Sequence, residues 1–399
     1  MHIHKRTNGG FLICAFVFLC IGSIATDARA DGEGQGGFPN WQERVMVEWI
    51  NRARCDPQVE MMKCGAACGE GACYKPQPPL AWNLHLNRSA RFHSDEMSAQ
   101  GYFAHNSTCT LVNNIDMLYP ASCTGAASCA CVGGTQTCSP TCTAWSSRIA
   151  LFGGSAAGEI IASGADPDGA FYQWLFEPYA GTACMYVQGP PTNGHRWNIL
   201  MSGPSVGMGA GANGAPAVGD FGGGATAGKI PSAAHYPRTG SVVVWANWSD
   251  TAAPMDALVD VDGVCTSLAL TRGSPTNGAW SASVTAGNAC HQYAVVFHDA
   301  GGKAVTYPTT GSLGMGPEGC DDWSATPVAS CGAPPIPVPD AAMHNSDAAV
   351  QQGDLAGQGG ALTASCACAI GGRRFSTEGA LAGLGLLLVL WVRGRRRVG

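Results

Sequence analysis

The chain has 399 residues, 22 basic against 28 acidic side chains, 55 glycines and 19 cysteines, and 46% of it is hydrophobic. That length leaves room for more than one folded unit. Residues 1–30 and 366–399 read as targeting segments and take nine basic and two acidic residues with them; the remainder carries 13 basic against 26 acidic groups, a net charge of −13, and so repels phosphate backbones and excludes nucleic acid as the main partner.

At the start, Lys5 and Arg6 precede an apolar run over 11–21, and Ala28-Arg29-Ala30 follows the small-x-small cleavage rule. Residues 1–30 therefore read as an export signal, too short in its apolar part to span a bilayer. Trp41, Val45 and Trp49 recur at helical spacing, which predicts a helix over 41–54 with Asn40 as N-cap and Asp56-Pro57 as its end. A loop with Cys64, Cys68 and Cys73 follows. A second helix is predicted over 83–100, with Leu86, Ala90, His93 and Met97 on one face and Gly101 as its stop. His93 and Glu96 stand at helical spacing, but a place between Ala90 and Met97 makes His93 a satisfied core histidine before a ligand. Residues 107–143 are rich in Cys, Gly, Ser and Thr and read as a disulfide-tied insertion. Short helices are predicted over 145–152 and 167–176, and strands over 206–212 and 241–248. The Gly/Ala-rich stretch 213–226 reads as a loop.

Past Pro254 the pattern changes to short β-like runs over 257–261, 266–271, 280–284 and 293–298. They predict a small β-sandwich over 254–332, with Cys265–Cys290 and Cys320–Cys331 as expected pairs. Asp260-x-Asp262-Gly263 reads as a surface turn, because Thr271 stands where a calcium loop needs Glu. Fifteen cysteines between Cys55 and Cys331 in an exported chain argue for disulfides and leave one thiol over; the irregular spacing of Cys64, Cys68 and Cys73 argues against a metal there. Residues 333–365 read as a flexible linker. Residues 379–392 are apolar and end in Arg393, Arg395, Arg396 and Arg397, a basic flank that marks the cytoplasmic side.

Two resemblances organise these parts. The tail, with Cys366-Ala367-Cys368, Gly371-Gly372, an apolar stretch and terminal arginines, resembles the MYXO-CTERM sorting signals. That resemblance implies display at the cell surface, membrane contact through segment 366–399 before processing, and processing near Cys366 and Cys368. The first part carries, in order, Asn51-Arg52-Ala53-Arg54, Leu80-Ala81-Trp82-Asn83, His93 to Met97, Phe103-Ala104-His105-Asn106-Ser107, Gly158-Glu159-Ile160-Ile161-Ala162, Gly194-His195-Arg196-Trp197-Asn198-Ile199-Leu200 and Val206-Gly207-Met208-Gly209. These motifs and their order resemble the CAP superfamily of cysteine-rich secretory, antigen and pathogenesis-related proteins, in its bacterial SCP-like form. Ile160 departs from the family's Asn.

The CAP resemblance implies an α+β fold: a CAP-type α-β-α sandwich over 38–252, with the insertion 107–143, followed by the small β domain. It also implies a ligand cleft lined by His105, Glu159, Glu177 and His195, Glu177 being assigned from its place three residues after Trp174. Two imidazoles suit zinc or another divalent cation, so His105 and His195 are the candidate metal ligands, with carboxylates to orient them. The same four groups serve equally well as a hydrogen-bonded cluster tying helices to the sheet, with acid-base work between them a lesser reading. Two functions remain open. One is a surface-displayed binding module for a small molecule, lipid, peptide or envelope component. The alternative is a metal-assisted hydrolase, peptidase-like, acting outside the cell.

Overall fold

A computed structural model of the chain describes residues 34, 39–108, 110–120, 143–164, 166–187, 191–201, 207–211, 216–224, 226–328 and 331–332. The expected export signal, most of the cysteine-rich insertion, the linker and the sorting tail with Cys366 and Cys368 lie outside these residues. The chain divides into two compact units, Met1–Ile336 and Pro337–Gly399, and every described residue belongs to the first. Helices and antiparallel sheets are both present, so the class is α+β.

The helices, in chain order, are α1 (Trp41–Cys55), α2 (Pro57–Met61), α3 (Leu84–Gln100), α4 (Ile115–Leu118), α5 (Trp145–Leu151), α6 (Pro167–Leu175) and α7 (Gly194–Leu200). Asn40 caps α1 as its side chain accepts the Glu43 amide, while the Glu43 carboxylate accepts the Asn40 amide; this reciprocal box satisfies two orphan donors. Asp56 ends α1 and caps α2, accepting from Val59 N. Gly101 closes α3 at φ 69°, a left-handed turn that favours glycine.

The first sheet holds β1 (Ala81–Trp82), β2 (Ser155–Ala162), β3 (Gly207–Gly211) and β4 (Ala217–Gly223) in the order β1-β3-β4-β2, with β1 parallel to β3 and the other pairs antiparallel. The expected loop over 213–226 is thus corrected: its middle is β4, paired on both sides. Its glycine Gly222, like Gly209 and Gly211 of neighbouring β3, serves close approach rather than a loop. A Cβ on Gly209 or Gly211 would overlap the α3 main chain at Asn87 or Arg91, and one on Gly222 would overlap Ser155 O. Helix α3 therefore lies on the sheet at backbone contact, and only glycine permits that approach.

Alternate residues of the strands feed two cores. Ile160, Ala162, Ala210 and Phe221 pack with α1, α6 and α7 around Trp49, Phe171, Trp174 and Leu200. On the other face Ile161 and Val218 meet Ala90 and Met97 of α3, and Phe92, Ile115, Tyr119 and Phe152 join α3 to α4 and α5. Each large side chain buried there contributes about 1.5–3 kcal/mol.

Strands β5 (Ala233–Tyr236), β6 (Gly240–Ser249), β9 (Ala269–Ser274) and β10 (Asn277–Gly287) form a second sheet, ordered β5-β6-β10-β9. A third contains β7 (Asp256–Val261), β8 (Val264–Ser267), β11 (His291–His298), β12 (Ala304–Tyr307), β13 (Ser312–Met315) and β14 (Trp323–Ser324). Between them lie Val242, Val244, Ala246 and Trp248 of β6 against Val259, Tyr293, Val295 and Phe297. Strand β6, predicted within the first domain, therefore pairs with β10 from Ser249↔Asn277 to Gly240↔Gly287, and this ladder crosses the boundary expected near Pro254. The single run predicted over 266–271 is two strands in different sheets, β8 on β7 and β9 on β10. Asp260 accepts from Gly263 N at 2.7 Å, so the Asp260–Gly263 stretch is a hairpin turn.

The expected disulfides are also corrected. Cys265 is bonded to Cys331 and Cys290 to Cys320. Pairing of β11 with β13 brings Cys290, just before β11, beside the residues that follow β13, whereas Cys265 sits on β8 at the far edge of that sheet. Cys64–Cys68 and Cys73–Cys184 staple the first part, and Cys55 is a free, buried thiol among the described residues. Among the described residues no helix is long and apolar enough to cross a membrane.

Candidate functional site

The four predicted cleft residues come together at one cavity of about 770 Å³, whose lining includes His105, Glu159, Glu177 and His195. Each imidazole has its own carboxylate. His105 Nδ1 lies 2.9 Å from Glu159 Oε1, and His195 Nδ1 lies 3.5 Å from Glu177 Oε1. The ring centroids stand 6.4 Å apart at 51°. Among the described residues the Nε2 atom of neither ring has a hydrogen-bond partner.

Different elements hold the two halves. His105 follows the turn after α3; its carbonyl accepts from Arg148 Nη1 at 3.1 Å, and Asn106 Oδ1 accepts the Trp145 amide at 3.0 Å. Glu159 sits on β2, almost wholly buried, and pairs with the fully buried Arg148 of α5. Burial works against the Glu159 charge, but the Arg148 guanidinium, aided by His93 and His105, outweighs it and holds the group down to about 2. Directly across the ladder stands Asp220 of β4, buried beside Glu159, Arg148 and Ser89. Burial and then the Glu159 charge push Asp220 well above the usual carboxylate range. One guanidinium faces two carboxyls, so Glu159 carries the charge and Asp220 the proton.

Glu177 follows α6, and its Oε2 accepts the His195 amide at 2.9 Å. Buried Arg196 fixes this half: its Nη1 donates to the carbonyls of Leu175 and Glu177 at 2.8 and 2.7 Å, and its Nε donates to Glu70 Oε1 at 2.8 Å. Glu70 lies in the cysteine loop between Cys68 and Cys73. The Cys73–Cys184 bridge then ties that loop to the segment bearing Tyr186, which lines the cavity with Trp145 and Trp197. Burial, and then His105, pull His195 down to about 4, so its ring is neutral at neutral pH. Burial raises Glu177.

His93 stands outside the cavity lining, with Nε2 2.8 Å from Ala104 O and Nδ1 3.3 Å from Glu96, a satisfied core histidine. Arg148, Asp220, Glu70 and Arg196 were not singled out from the sequence. Only the lone basic residue inside the short apolar helix at 145–151 could have drawn attention to Arg148.

The donor chemistry fits a divalent cation: two imidazole nitrogens, each ring oriented by a carboxylate. A tetrahedral zinc bonded to both rings would set their centroids about 5 Å apart, so one ring has to swing by about 1 Å. His105, with 44% of its side chain exposed, has the freedom to do so. Three donor atoms within mutual reach occur, among the described residues, only at Asp260, Cys265 and Cys331, where both sulfurs are already joined as a disulfide. The cleft supplies no serine or cysteine nucleophile among its described lining, and the Thr192 hydroxyl is engaged with Val187 O and Gly194 N.

No protein-family description matches the chain, and no curated protein is similar to it.

Proposed function

We propose that the chain is an exported, surface-displayed protein of the CAP superfamily whose His/Glu cleft is a ligand-binding site. In this reading the first sheet with its covering helices is the CAP-type sandwich, and the β-rich remainder is a small sandwich joined to it through β6. The tail, with Cys366 and Cys368, anchors or sorts the protein. The observation that carries the reading is the convergence of four residues, 90 positions apart at the extremes, as two imidazole–carboxylate pairs at one cavity. His105 and His195 would hold a divalent cation through Nε2, and the cation would contribute a fixed positive charge for a carbonyl group of the ligand. The described lining offers no serine or cysteine nucleophile, so hydrolysis here would require a cation-bound water, and that metal-assisted reaction is the second reading.

The test is zinc calorimetry on the full chain and on His105→Ala/His195→Ala. Stoichiometric uptake by the wild type and none by the variant is expected. Equal uptake by both proteins would remove the cation site.

A further inference from the structure

The four-stranded sheet ends, on one side, at β2. Residues 157–159 of that strand line the cavity, and among the described residues no hydrogen bond from any element other than β4 reaches their main chain. The groups involved are not all exposed to bulk water, since Gly158 and Glu159 are buried. Buried main-chain donors and acceptors are almost always paired, and an open strand edge is a template for another strand. We propose that the natural occupant of the cleft is an extended peptide that adds to β2 as a fifth strand. This rests on reading the cleft as a ligand-binding site and names the ligand's class.

Three further features fit a peptide main chain. The β2–β4 register shifts between Ala156 and Gly158, which makes Ala157 the extra residue of a bulge; bulges bend a strand and re-aim its edge beside functional sites. Above this edge, Asn198 Oδ1 approaches Gly158 closely enough to overlap any Cβ there. The Asn198 Nδ2 donates to Gly194 O, which leaves its Oδ1 as an acceptor for an incoming amide. On the opposite side Asn106 uses Oδ1 on the Trp145 amide and keeps its Nδ2 as a donor.

The side chains of an added strand would alternate between the two faces of the sheet, and the cleft presents a half-buried ring on each. Trp145 opens α5, on the α3 face; Trp197 belongs to α7 and packs with the α1 core. Tyr186, 47% exposed, lies beside Trp197 with centroids 6.3 Å apart. Main-chain bonds supply affinity and such pockets supply preference in this mode of recognition. Charge narrows the class further. Arg148 neutralises Glu159 while, among the described residues, Glu177 has no cationic side chain bonded to its carboxylate, and the protein between the two targeting segments carries −13. Neutral or basic peptides are therefore accepted and acidic ones repelled. A saccharide could stack on the same rings but would not pair in register with the strand edge.

The test titrates the full chain by fluorescence anisotropy with labelled synthetic decapeptides of neutral, basic and acidic composition. The tightest is then remade with N-methyl groups on its odd or its even residues, because methylation removes the donors of one edge only. Affinity should fall about tenfold or more for one methylated form and stay within about twofold for the other, the loss of a main-chain hydrogen bond or two. Ala157→Pro should weaken the parent peptide comparably while near-ultraviolet circular dichroism and thermal midpoint stay unchanged; if this variant unfolds, the methylation pair decides. The proposal is overturned if no decapeptide binds at about 1 mM, if both methylated forms bind like the parent, or if a β-linked N-acetylglucosamine tetramer binds in their place. Failure here with zinc uptake intact and dependent on His105 and His195 removes the peptide and leaves the cleft's cation site. Register-dependent peptide binding without zinc uptake does the reverse.

Discussion

Replacing Arg148 with Met tests how the cleft's acidic half is held. Both partners of the Arg148–Glu159 pair are nearly inaccessible, with 0% and 1% of their side chains exposed, so methionine keeps the volume and leaves a buried carboxylate without its counter-charge. Breaking a buried ion pair from one side costs about 3–5 kcal/mol, and the Arg148 guanidinium holds the Glu159 carboxyl below its ordinary range against the opposing effect of burial. The pH dependence follows in sign. With a depressed folded value, Glu159 contributes stability that is present above pH 4.5 and is lost as the pH falls toward 2. Without Arg148, burial dominates and the folded value rises, so the carboxyl destabilises the variant at neutral pH and is relieved on acidification. Urea unfolding of both proteins should give a deficit of about 3–4 kcal/mol at pH 7 that shrinks below about pH 5. Arg148→Met/Glu159→Gln should recover at least about 1 kcal/mol of it as coupling. A deficit unchanged between pH 4 and pH 8 would mean that Arg148 acts by packing and by the hydrogen bonds its Nη1 donates to His105 O and Ser107 Oγ, each at 3.1 Å, alone.

Three further outcomes are expected. Gly211→Ala drives a methyl into the α3 main chain at Arg91 and should cost about 3 kcal/mol, the upper range for overpacking; a thermal midpoint within a degree or two of wild type would deny the backbone contact. Glu48, buried beneath Ser232 and Asn247, is pushed up to about 8 chiefly by burial. A raised folded value means stability lost as the pH rises, so the wild type should weaken relative to Glu48→Gln between about pH 5 and 8 by a few kcal/mol, and parallel stability curves would reject this. The Cys55 thiol is 2% exposed and pushed up to about 12, first by burial and then by Glu48. Iodoacetamide at pH 8 should leave it unmodified in the native chain and label it in urea, and mass-spectrometric detection of native labelling would contradict its burial.

Helix prediction succeeded where local chemistry decides the outcome. The cap at Asn40, the stop at Gly101 and proline in the first turn of α6 act within a few residues of themselves, so a reader of the chain sees cause and effect together. The misreadings share the opposite property. Strand β4 looked like a loop because its glycines answer to a neighbouring strand, Gly222 lying against Ser155 of β2 more than 60 residues earlier in the chain. Strand β6 pairs across the boundary expected near Pro254, and nothing in its own residues says that its partner is β10. The disulfides depended on which strands are neighbours, and sequence proximity put Cys265 with Cys290 when the sheet puts Cys290 with Cys320.

The candidate site divides along the same line. His105, Glu159, Glu177 and His195 were visible because each sits in a short motif beside the cavity it lines. Arg148 and Asp220, which set the charge on Glu159, are buried and carry no local signature, and Arg196, which holds Glu177 in place, lies within the Gly194–Leu200 motif but with nothing there to show that it is buried. Yet these hidden groups decide what the visible ones can do. With Arg148 at its side Glu159 is a fixed anion and His105 keeps one nitrogen bound to it; with Asp220 holding a proton across the ladder, a second negative charge is kept off the cleft floor. His195, neutral and set beside Glu177 by the Arg196 clamp, offers the matching nitrogen from the other wall. The motif residues name the chemistry, but its sign and direction come from arginines and acids that approach from other elements, and these become readable only when the sheet has been assembled.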